Sequence, residues 1–119
     1  MKKILWWLPT IIYISLILTL SFKPAPKLPS MEQIDKLVHA SAYAFLAFLL
    51  SLSLSRSGFS NTVIAAACMA LLVGALDESL QSFSPARTAS IYDLMADGVG
   101  ALIGAVAGLK TVRIVNRSR

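Results

Sequence analysis

Four apolar runs, separated by short polar or proline-bearing segments, organise the chain. They cover residues 4–22, 37–54, 62–80 and 91–109. A bilayer's hydrocarbon core is about 30 Å thick, so roughly 20 apolar helical residues cross it. Each run is near that length, and the pattern predicts a single all-α membrane domain over residues 1–119, a four-transmembrane-helix up-down bundle. Short connections make consecutive helices antiparallel neighbours. Pro24, Pro26 and Pro29 end any helix between the first two runs. Ser30 with Gln33 reads as the capping box of the next helix. Residues 55–60, with Gly58, and 82–90, with Pro85, form the other connections. Lys2 and Lys3 also resemble the basic start of a signal peptide. The length of the first run, and the lack of a small-x-small pattern after Phe22, favour a retained helix.

Composition sharpens this reading. The chain is 56% hydrophobic and 14% charged, against about a quarter charged in soluble domains. A net charge of +5 would suggest nucleic acid in a soluble protein. Here the basic residues flank apolar runs, so they orient the chain in a membrane and no nucleic-acid partner is expected. Four crossings put Lys2, Lys3, Arg56, Lys110, Arg113, Arg117 and Arg119 on one side, and Lys23, Lys27, Lys36 and Arg87 on the other. The positive-inside rule then places both termini in the cytoplasm, an N-in/C-in topology. Every acid, from Glu32 and Asp35 to Asp77, Glu78, Asp93 and Asp97, falls in the outer half. The lone Cys68 makes no internal disulfide and reads as a small hydrophobe.

Helical residues three and four apart share a face. Asp35, Lys36, His39 and Tyr43 share one on the second helix; Gly74, Asp77, Glu78 and Gln81 share one on the third; Asp93, Asp97, Gly100 and Gly104 share one on the fourth. Antiparallel order brings these stripes, with the Arg87 loop, to one end of the bundle. Some members have ordinary structural roles: Asp35 and Asp93 suit helix N-termini, Lys36 and Arg87 snorkel or pair, and Tyr43 suits an interface. So many polar groups aligned on three helices nonetheless point to a site. Lys36 and Arg87 would hold an anion, His39 would move a proton, and the crowded carboxylates would tune protonation. His39, Glu78, Asp93 and Asp97 include possible cation ligands, but their spacing matches no established motif, so neither a metal nor a cofactor is expected. Gly100, Gly104 and Gly108 form overlapping GxxxG patterns for close packing, within the protomer or in a homo-oligomer.

These residues resemble a known family. Asp35-Lys36-Leu37-Val38-His39, followed by Tyr43, resembles the DKxxH…Y opening of VanZ-like proteins. Leu76-Asp77-Glu78-Ser79-Leu80-Gln81, then Arg87-Thr88-Ala89-Ser90 and Asp93, resembles their second block. Asp97 stands where the family commonly has Asn, and Ala86 where a Gly often precedes the Arg. The resemblance implies a multi-pass protein of the bacterial cytoplasmic membrane, in a family whose name member is linked to teicoplanin resistance.

The expected function is an outer-face site for an anionic envelope molecule: a lipid-linked precursor, a lipid head group or a lipoglycopeptide. The bilayer and such a ligand are the expected partners. An alternative is an enzyme acting on a lipid-linked phosphate or ester, with His39 and Glu78 as acid and base. It lacks an evident nucleophile, since Ser90 has no adjacent His and no GxSxG occurs. A third reading is a small proton-coupled transporter, but the first run carries no carboxylate and the polar stripes lie near one face.

Overall fold

A computed structural model describes residues 2–21, 32–81 and 91–118, with side-chain detail for 3–19, 37–80, 92 and 94–118. Its elements are α1 (Lys2–Leu5), α2 (Leu8–Ser21), α3 (Glu32–Arg56), α4 (Thr62–Gln81) and α5 (Ile91–Arg117). All regular structure among the described residues is helical. Leu37–Arg56, Thr62–Leu80 and Leu94–Arg117 are long and apolar enough to cross a membrane, while the apolar stretch Lys3–Thr19 is shorter. The chain is an all-α membrane bundle. The outer surface bears Leu37, Phe45, Ile64, Leu72, Leu102 and Ile103, all more than half exposed except that Phe45 stands at 50%. Water would penalise so continuous an apolar surface, whereas lipid tails solvate it. Cys68 lies exposed on this surface rather than in the core.

The first apolar run departs from the single helix expected over 4–22. It breaks at Trp6 and Trp7, where Trp6 N–H bonds to the Lys3 carbonyl and Trp7 N–H to the Ile4 carbonyl. Pro9 accounts for the break. It has no N–H to offer the Leu5 carbonyl, and its ring crowds that carbonyl, so the helix restarts just before it. The restart is stapled to α3. Ser53 Oγ donates to the Trp6 carbonyl at 2.8 Å and accepts from Thr10 Oγ1 at 2.8 Å. Trp7 Nε1 donates to Ser57 Oγ at 2.9 Å, and the Arg56 guanidinium lies 4.8 Å over the Trp6 ring. These contacts run antiparallel along α2 and α3.

α3 and α5 also extend past the expected 37–54 and 91–109, because helix continues beyond the apolar run into polar residues such as Lys110 and Arg113. At its C-terminus α3 closes in a Schellman turn. Phe59 N–H bonds to the Leu54 carbonyl, Gly58 N–H bonds to the Ser55 carbonyl, and Gly58 takes φ +89°. That left-handed conformation favours glycine. The proposed Ser30 cap lies outside the described residues.

The central interface joins α3 to α5. Gly100 lies against the backbone of Ala40 and Gly104 against the backbone of Ala44. A β-carbon at Gly108 would stand 2.7 Å from Ser51 Cβ. Residue numbers rise together on both helices, so α3 and α5 run parallel, as second and fourth members of an up-down series should. Ser51 Oγ ties them further by donating to the Ala105 carbonyl at 2.9 Å. The GxxxG stripe thus packs against α3 inside the protomer. α4 packs on both α3 and α5, and Tyr43, Leu46, Leu50, Ala66, Ala70, Ala101 and Ala105 fill the core between them.

Candidate functional site

The polar cluster follows directly from this packing. On α5, Asp97 precedes Gly100 by three residues and so shares its face. The approach of Gly100 to Ala40 thus carries Asp97 to the neighbouring residue, His39. His39 Nδ1 lies 3.4 Å from Asp97 Oδ1, with both side chains buried. One turn along α3, Tyr43 lies nearly parallel to the His39 ring, 19° between planes and 6.4 Å between centroids. Its hydroxyl donates to Asp77 Oδ2 at 2.8 Å.

α4 supplies two consecutive acids, and both face inward. Asp77 is 4% exposed and Glu78 8%. Neighbouring helical residues diverge by about 100°, so burying both requires partners on two sides. α3 and α5 provide them: Asp77 meets Tyr43 on α3, while Glu78 brings a carboxylate oxygen near His39 and Asp97. Gly74 makes room for the arrangement. A β-carbon there would meet Asp97 Oδ2 at 3.0 Å and Tyr43 Cε1 at 3.6 Å. Its role in shaping the site was not foreseen, although it lies three residues before Asp77 on the same stripe.

Of the residues expected from sequence, the structure brings His39, Tyr43, Asp77, Glu78 and Asp97 together in one buried cluster. The side chains of Asp35, Lys36, Gln81, Arg87 and Asp93 lie outside the described residues. The cluster lies near one end of the bundle, close to the start of α3, the end of α4 and the start of α5. One ligating atom each from His39, Glu78 and Asp97 lies within 4.8 Å of the others. The cluster therefore has the donors to share a proton or to surround a small cation.

A family model described as VanZ/LLP1 matches residues 2–112. No curated protein and no solved structure matches the chain. The match covers nearly the whole sequence and spans both sequence blocks and every residue of the cluster. The chain belongs to the VanZ/LLP1 family.

Proposed function

We propose that this protein resides in the bacterial cytoplasmic membrane and uses the cluster as an outward-facing site for the anionic head group of an envelope molecule. The observation that carries the reading is the convergence of five buried polar side chains from three helices at one end of a membrane bundle. Desolvating ionisable groups in a membrane is costly, and such groups gather at ligand or ion paths. The excess of Lys and Arg toward the opposite end supports an outward orientation. Lys36 and Arg87, next to the cluster in chain order, are the proposed contacts to a phosphate or carboxylate. The ligand class is a lipid-linked wall precursor, a lipid head group or a lipoglycopeptide, the last giving the link to teicoplanin.

The test is a titration of purified protein in lipid nanodiscs with a short-chain isoprenyl pyrophosphate, against the corresponding alcohol. Saturable binding of the pyrophosphate alone, weakened tenfold or more by Arg87→Ala, is expected. Equal affinity for the alcohol removes the reading. A catalytic version draws on the His39–Asp97 approach of 3.4 Å, a base beside an orienting carboxylate. Phosphate release by native protein, abolished in His39→Ala, would select it.

A further inference from the structure

The proposed site poses an electrostatic problem. Asp77, Glu78 and Asp97 place three carboxyl groups in one buried cluster, and positive charge beside them, from Lys36, Arg87 or a bound cation, would lower the repulsion of an anionic head group. Buried charges in proteins are paired or coordinate metals. Three members of the cluster have the chemistry for coordination. A His39 ring nitrogen and one carboxylate oxygen each from Glu78 and Asp97 lie within 4.8 Å of one another, all from buried residues. His39 Nδ1 and Asp97 Oδ1 stand 3.4 Å apart.

Metal–nitrogen and metal–oxygen bonds of about 2.0–2.2 Å put neighbouring ligand atoms roughly 3 Å apart and opposite ones about 4.3 Å apart. The His39 Nδ1–Asp97 Oδ1 separation of 3.4 Å already lies in that range. The ligands come from α3, α4 and α5, so no local sequence motif marks them. Gly74 contributes by omission, since a β-carbon there would crowd Asp97 Oδ2. Asp77 accepts the Tyr43 hydroxyl, and His39, Glu78 and Asp97 form the converging set.

We propose that His39, Glu78 and Asp97 bind a divalent transition-metal cation, of the Mn2+ or Zn2+ kind, and that this cation receives the anionic head group. One imidazole and two carboxylates suit such ions better than Ca2+ or Mg2+, which favour all-oxygen shells. Three protein ligands leave positions open for phosphate or carboxylate oxygens. The second half of the proposal rests on the head-group reading above, whereas the cation site itself does not.

The experiment strips the native protein with chelator in nanodiscs and titrates it with Mn2+ alone, following free Mn2+ by electron paramagnetic resonance. One Mn2+ per chain, displaced by Zn2+, is expected. Glu78→Gln and Asp97→Asn, which keep side-chain size, should each weaken uptake at least tenfold. Thr111→Ala, half-buried toward the other end of α5, should leave it unchanged. Circular dichroism and monodisperse elution establish that each variant is folded. No saturable uptake of either ion by native protein, or uptake by both folded variants equal to that of native protein, overturns the site. A second arm adds the isoprenyl pyrophosphate with and without chelator. Pyrophosphate affinity that falls tenfold with chelator supports the linked role. Cation uptake without pyrophosphate affinity keeps the cation site and removes the head-group reading. Pyrophosphate binding indifferent to chelator, in protein that takes up no cation, does the reverse.

Discussion

A methyl group at position 74 would press on Asp97 Oδ2, and a phenyl ring at position 43 would leave Asp77 without its hydroxyl donor. These two substitutions probe the cluster in different ways. Gly74→Ala keeps every polar group and moves one carboxylate, so it should weaken Mn2+ uptake by roughly an order of magnitude while costing about 1 kcal/mol of stability. A Mn2+ titration beside an unfolding curve in detergent measures both. Tyr43→Phe keeps the ring packing and removes one interhelical hydrogen bond, which in membrane proteins costs about 0.6 kcal/mol and at most roughly 2. Its unfolding midpoint in a mixed-micelle titration should therefore fall only modestly; a loss beyond about 3 kcal/mol would mean the bond organises more of the cluster than one pair. Most of this cluster was legible in the sequence, because His39, Tyr43, Asp77, Glu78 and Asp97 recur at helical spacing within apolar runs. Two things were not. Sequence cannot say that Asp77 and Glu78 both face inward, since that depends on how α4 nests against two partners. Nor does it distinguish a glycine that admits a carboxylate from one that admits a backbone.

Among the elements, α5 depends most on what its residues lack. Gly100 and Gly104 meet the backbones of Ala40 and Ala44, where nothing flexible can give way. Gly104→Ala should force α3 and α5 apart and cost about 2 kcal/mol or more, in the range of overpacking penalties. Gly58→Ala offers a contrast: nothing crowds its β-carbon, and the penalty comes from φ +89° alone, about 1 kcal/mol. Comparing the two unfolding curves separates packing from backbone conformation. The GxxxG spacing was visible in the sequence, but its partner was not, because a packing stripe serves a second copy or a neighbouring helix equally well. The break in the first run was also readable in principle. Pro9 lies inside it, yet hydropathy alone treats proline as one more residue in an apolar run.

For the whole molecule, the apolar outer surface and the Lys/Arg asymmetry make separate predictions. Cys68 faces outward from α4, so in sealed vesicles it should resist a membrane-impermeant maleimide and react once SDS unfolds the chain. Right-side-out vesicles carrying Ser118→Cys in a Cys68→Ala background should label only after permeabilisation, and Ser84→Cys should label without it. The reverse pattern would invert the bundle and put the cluster on the cytoplasmic side.

The parallel pairing of α3 with α5 also bears on biogenesis. Their contacts join residues about sixty apart in the chain, Ala40 with Gly100 and Ala44 with Gly104. During synthesis α3 enters the membrane long before the partner that matches its small-residue face exists. Until α5 arrives, His39 and Glu78 lack the Asp97 wall of their enclosure and must be sheltered by lipid head groups, water or a chaperone. The last helix made is thus the one that completes the site, and a nascent chain arrested after α4 should be a preferred substrate for membrane proteases, with a lifetime well below that of the released protein.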